Sequence, residues 1–256
     1  SGVLGLPFCF REAGAGLGLL ILACTALTAH LSLKFLLLAS VLTGATSYDA
    51  AAAALMGPRG RDAVAGATLA LLMGSTVAYI NIVGDVLSAT SASVVPPSLE
   101  PNRATVKTAA TVLVLLPVSC LVRDIRVVGR VSSVSFGIVA VFAACVLWFS
   151  LTPDLQYALM PVSVWNTDGA LIAMPVIAFS FTAHIAMFPV AAALPEHSRA
   201  EQMTRVLRNT VAAAFAVYAL VGLCGYLAFR AHTAGNLLRN FTPAAGGGYW
   251  RGGGGG

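Results

Sequence analysis

The sequence predicts an all-α polytopic membrane protein, and three observations predict it. Of its 256 residues, 58% are hydrophobic and only 10% charged, with a mean hydropathy of +0.85; a soluble domain carries about a quarter charged residues. The apolar residues are gathered into stretches separated by short polar loops. All but the first approach or exceed the roughly 17–25 residues that cross a bilayer as a helix. Arginines cluster in three short loops that alternate along the chain, as they do when one side of a bundle faces the cytoplasm.

The first stretch, 1–10, is a partial span, in which SGVLGLP sets Gly2, Gly5 and Pro7 among apolar residues; glycine and proline both interrupt a helix. The second, 14–42, opens on GAGLG, small residues that suit close helix packing. No strand precedes this run and no acidic residue follows it at the distance a dinucleotide fingerprint needs. Lys34 in the same stretch is long enough to reach the cytoplasmic headgroups. The third, 64–87, holds Tyr79 and Asn81, with Asp85 read as an interfacial charge at its outer end. The fourth, 105–122, and the fifth, 131–151, are continuous apolar runs. In the sixth, 169–194, Pro175 and Pro189 flank Ser180, Thr182 and His184. The seventh is 206–229, and residues 242–256 form a glycine-rich tail that cannot build a packed element. The total is six full spans and one partial span. With no initiator Met, no basic run before the first apolar stretch and no small-residue cleavage site, the chain reads as clipped at its front and a secretory signal is not expected.

The net charge of +5 matters less than its placement. Arg59 and Arg61 follow the second span; Arg123, Arg126 and Arg130 the fourth; Arg199, Arg205 and Arg208 the sixth. The positive-inside rule makes that side cytoplasmic, and the opposite loop 151–168 has no Lys or Arg. Short loops without interleaved aromatics exclude a nucleic-acid patch; the bilayer is the expected partner. The five cysteines, Cys9, Cys24, Cys120, Cys145 and Cys224, all lie in apolar stretches with no metal-ligand spacing. They read as structural, and no metal site is expected within the chain.

Polar and helix-breaking residues inside a span must find partners or line a cavity. Two segments qualify, Ser1–Pro7 and Met174–Pro189. Interrupted helices at the first and sixth positions are what an inverted repeat of five spans produces, with substrate held between them at the midplane. A half-helix N-terminus suits a carboxylate, and unwound carbonyls suit an ammonium group or a cation.

SGVLGLPFCFREAGAGLG, TSYDAAAALMGPRGR, VAYINIVGDVL, LPVSCLVRDIRVVGRVSS, IAFSFTAHIAMFPVAAALPEHSR and GYLAFRAHTAGNLLRNF follow one another along residues 1–241. In that order they resemble segments of the amino acid/auxin permease family, which includes sodium-coupled neutral and vacuolar amino acid transporters. The resemblance implies a LeuT-like inverted-repeat fold of eleven helices, of which about six and a half are present, so residues 1–241 form a partial transporter domain. It implies ion-coupled transport of small, neutral amino acids by alternating access, across a plasma or a vacuolar or lysosomal membrane. It implies no cofactor beyond a coupling ion, sodium or proton. By the same resemblance Ser1, Gly2, Val3, Leu4 and Gly5 offer unwound backbone to the substrate, facing Phe179, Ser180, Phe181, Thr182, Ala183 and His184 from the sixth span. Ala183 stands where the family often has cysteine. Tyr79 and Asn81 are further lining candidates, for which interhelical hydrogen bonding is the competing role.

Two other classes fit parts of the pattern. An intramembrane hydrolase would pair Ser180 with His184, which share a helix face at a spacing of four; a seven-span receptor would fit the crude span count. The residues around Ser180 supply no glycine-rich oxyanion donor, and for a receptor the first stretch is too short and the loops carry no ligand-domain features. The chain is read as a transporter rather than an enzyme.

Overall fold

The computed structural model describes residues 2–94, 105, 108–109, 111–115, 125–152, 157 and 159–241. Its main helices are α1 (Leu6–Ala13), α2 (Ala15–Thr43), α3 (Tyr48–Val94), α4 (Ile125–Leu151), α5 (Thr167–Ser180), α6 (His184–Ala192) and α7 (Arg199–Phe229). A 3-10 turn, Gly2–Gly5, leads into α1, and short 3-10 turns at Arg230–His232 and Leu237–Phe241 follow α7. Among the described residues five segments are long and apolar enough to cross a membrane: Ala15–Thr43, Tyr48–Gly84, Val131–Leu151, Thr167–Ala192 and Arg199–His232. Most of the fourth expected span, 105–122, together with Cys120, Arg123 and the tail 242–256, lies outside the described residues.

Local chemistry explains these elements. The 29 residues of α2 make a rod of about 44 Å, and Gly44, at φ 68° and ψ 10°, closes it in the left-handed conformation usual after a helix. Hydroxyls inside the spans turn back on their own helix: Thr25 Oγ1 donates to Ile21 O at 2.8 Å, Thr28 Oγ1 to Cys24 O at 2.9 Å and Ser75 Oγ to Leu71 O at 2.6 Å. In hydrocarbon no water would take those protons. One difference from the sequence reading concerns the segment before the third span. It is helical from Tyr48, and α3 runs through it with a kink at Gly57, where φ is 74°, followed by Pro58.

α1 is short but central. Leu6, Cys9, Phe10 and Ala13 are completely buried, enclosed by α2, α5 and α7. Glycines on α7 permit this approach: a Cβ at Gly222 would stand 2.6 Å from the Phe10 ring and one at Gly225 2.6 Å from the Pro7 ring. Small residues that let backbones meet are the usual basis of helix packing in a bilayer. Two apolar cores result. One joins α1 to α5, the first half of α2 and the second half of α7, through Leu22, Ile177 and Val221 among others. The second joins the C-terminal half of α2 and the N-terminal part of α7 to α6, through Leu33, Leu37, Met187 and Leu207.

The extended segment Pro161–Asn166 docks on the junction of α1 and α2. The first N–H groups of α2 donate to it, Ala15 to Ser163 O at 2.9 Å and Gly16 to Val164 O at 2.8 Å. The last carbonyls of α1 accept from it, Ala13 O from Asn166 N at 2.8 Å and Glu12 O from Asn166 Nδ2 at 2.7 Å. Groups that every helix end leaves without an intrahelical partner are thereby satisfied. Arg11, paired with Glu12, donates from Nη1 to Thr233 O at 2.7 Å and ties the same end of α1 to the segment after α7.

Candidate functional site

The sixth span is broken as the sequence predicts, at Phe181–Ala183. α5 ends by tightening: the Phe181 N–H donates to Ala178 O and the Thr182 N–H to Phe179 O, each at 3.2 Å. Ala183 then leaves helical geometry with φ −127° and ψ 1°, and α6 begins at His184 without a side-chain cap. Phe181 belongs to the core around α1 and Met187 to the core around α6. The break therefore falls between the two apolar cores.

The first span shows the counterpart. Its Gly2–Gly5 turn is a 3-10 helix, and α1 begins with Pro7 in its first turn and no side-chain cap on Gly5. The two irregular segments touch. A Cβ on Gly2 would overlap the Ser180 hydroxyl and stand 2.8 Å from Ser180 Cβ, and one on Gly5 would lie 3.3 Å from Val176 Cγ1. Val3 is buried and Leu4 half-buried; Ser1 lies outside the described residues.

A cavity of about 280 Å³ opens beside the break, with Ser180, Phe181, Thr182 and Ala183 on one wall and Thr210 and Tyr218 of α7 opposite. A second, of about 620 Å³, lies on the α4 side of α7 and is lined by Val3, Ser132, Ser135, Asn209, Thr210 and Tyr218. Thr210, Ala214 and Tyr218 face both; spaced by four, they form one stripe on α7. The walls carry neutral hydroxyl, amide, aromatic and aliphatic groups.

His184 points elsewhere. Its Nε2 is hydrogen-bonded to Ser32 Oγ of α2 at 2.6 Å, in a separate cleft with Phe35 and Tyr48. The Ser180 hydroxyl donates to Val176 O at 2.9 Å. The serine and histidine that a hydrolase would pair thus bond to other groups. Phe179 is half-buried at the end of α5. Tyr79 and Asn81 stand exposed on α3, the latter donating from Nδ2 to Val77 O at 3.0 Å. Among the described residues no three His, Cys, Asp or Glu side chains are grouped to hold a metal ion.

Sequence reasoning did not single out Tyr218, whose hydroxyl donates to Ser180 O at 2.9 Å, or Ser32. Each partner lies far away in the sequence, and nothing local distinguishes either residue. The Ser32–His184 bond fixes α6 to α2. Ser32→Ala and His184→Ala are each expected to cost about 1 kcal/mol, with a coupling of about 1 kcal/mol in the double-mutant cycle. Unfolding of the purified protein in mixed micelles checks this; strictly additive losses would mean the two groups do not interact.

The family model described as "Transmembrane amino acid transporter protein" matches residues 1–250. The chain is 28% identical over 248 residues to a Rattus norvegicus protein named "Putative sodium-coupled neutral amino acid transporter 11", covering 94% of this chain and 54% of that protein. It is 27% identical over 245 residues to "Solute carrier family 38 member 10" of Mus musculus, covering 93% of this chain and 22% of that protein. The chain thus spans about half the length of the first relative and less of the second. No solved structure matches it significantly.

Proposed function

The chain belongs to the transmembrane amino acid transporter family, and on that premise we propose that it is the substrate-binding part of a secondary transporter for small neutral amino acids. It is part of a multi-pass membrane protein, and its relatives are named as transporters or solute carriers rather than enzymes. The observation that carries the proposal is the contact of Gly2 with Ser180, which brings two interrupted spans together beside a cavity of amino-acid size. The uncapped starts of α1 and α6 carry partial positive charge for the substrate carboxylate. The carbonyls of the break offer acceptors for its ammonium group. The LeuT-like fold supplies the cycle: the broken halves rock against the rest of the bundle and expose the site to each side in turn. The driving ion is sodium or the proton.

The test is uptake of a labelled mixture of neutral amino acids by the full-length protein in proteoliposomes, under a sodium gradient, a proton gradient or neither. Uptake driven by one gradient supports the proposal and identifies the ion. No uptake from folded protein under any condition overturns it. Thr182→Trp fills the cavity at the break and is expected to lower uptake tenfold or more, on the order of 1.4 kcal/mol, without changing membrane insertion; unchanged uptake would place the substrate elsewhere.

A further inference from the structure

Tyr218 meets the break in the sixth span directly and lines the cavities on both sides of α7. Its hydroxyl donates to Ser180 O at 2.9 Å, its ring meets Phe181 edge-on at 5.2 Å between centroids, and it lines both cavities. The Ser180 carbonyl and the Phe181 N–H belong to one peptide group, which is planar and turns as a unit. The N–H end of that plane is held by Ala178 O at 3.2 Å, the carbonyl end by Tyr218. This is the last peptide plane of α5 before the chain unwinds. A carbonyl at a helix end has lost its intrahelical donor, and here the Tyr218 hydroxyl takes that donor's place. Without the phenol the plane keeps only its weaker anchor.

We propose that Tyr218 is a positioning residue of the transport site. By fixing the 180–181 peptide plane it sets the direction of the Phe181 and Thr182 backbone toward the cavity, and its ring walls that cavity off from the larger one beside α4. The assignment rests on the transporter reading for its functional half, while the structural half stands alone.

Two measurements separate these halves. Tyr218→Phe keeps the ring and removes only the hydroxyl. In the purified full-length protein, hydrogen exchange at the Phe181 and Thr182 amides is expected to become about tenfold faster in this variant. In proteoliposomes, the KM for the labelled neutral amino-acid mixture is expected to rise about tenfold, with the maximal rate within about twofold of the parent. A purely packing role for Tyr218 would be preserved by phenylalanine and move neither quantity, which overturns the proposal. Faster exchange with an unchanged KM also overturns it, because the plane would then be held without serving the substrate. If the parent itself transports nothing, the transporter reading falls, and the exchange result still decides whether Tyr218 holds the break.

Discussion

Replacing Gly2 by leucine is expected to lower amino-acid uptake by the full-length protein about a hundredfold, while the protein still inserts and accumulates. The first atom of any side chain at this position would overlap the Ser180 hydroxyl and stand 2.8 Å from Ser180 Cβ and 3.0 Å from its Cα. The last of these contacts is with backbone, so rotating the serine does not relieve it. The two irregular segments must separate, and misplacing a binding geometry by about 1 Å is enough for a loss of that order. The core around α1, with Leu6, Phe10 and Ala13 completely buried, is untouched, which is why insertion is retained. Gly2→Ala should show a smaller loss, and adding Ser180→Gly, which removes the overlapping side-chain atoms, should restore part of it. Uptake and surface labelling measured together check this. If Gly2→Leu transports normally, the contact between the two segments plays no part in the substrate site.

Much of this arrangement was legible in the sequence because it follows from composition and from interruptions. Long apolar runs marked the spans, and Pro175, Thr182 and Pro189 marked the sixth as broken. What the sequence withheld depends on which way a side chain faces. Ser180 and His184 are four residues apart and would share a face of a continuous helix. The unwound Phe181–Ala183 turns them apart, one to its own Val176 carbonyl and the other to Ser32. A break can be predicted from its residues, but the angle across it is set by the two cores that it separates. Tyr218 was hidden for a related reason. Its partner is a backbone carbonyl 38 residues away, and a carbonyl carries no signature in a sequence. The segment Pro161–Asn166, read only as a loop free of basic residues, works through its backbone in the same way.

That backbone docking leads to the second large effect, at Gly14. GAGLG was read as a run of small residues for close packing, and Gly14 does more than pack. It has φ 85° and ψ 157°, a combination that costs any other residue about 1–3 kcal/mol. A Cβ here would also stand 2.6 Å from Val164 C and 2.7 Å from Trp165 N, both backbone atoms of the docked segment. Overpacking of this kind adds about 1–3 kcal/mol. Gly14→Ala must either distort the α1–α2 junction or lift the segment away, and lifting it strips partners from Ala15 N, Gly16 N and Ala13 O together. A loss of about 3 kcal/mol or more is expected, read as a fall of about 6–12 °C in the unfolding midpoint of the purified protein. Gly44 provides the control, because it too has a positive φ, of 68°, but nothing lies within 4 Å of its missing Cβ. Gly44→Ala should therefore lose only the conformational part, about 1 kcal/mol. Equal losses at the two glycines would mean that backbone conformation alone requires glycine at Gly14 and that the docked segment contributes nothing there. A loss at Gly14 beyond the roughly 3 kcal/mol that its conformation alone can cost would establish the docked Pro161–Asn166 segment as an element that holds the α1–α2 junction in place.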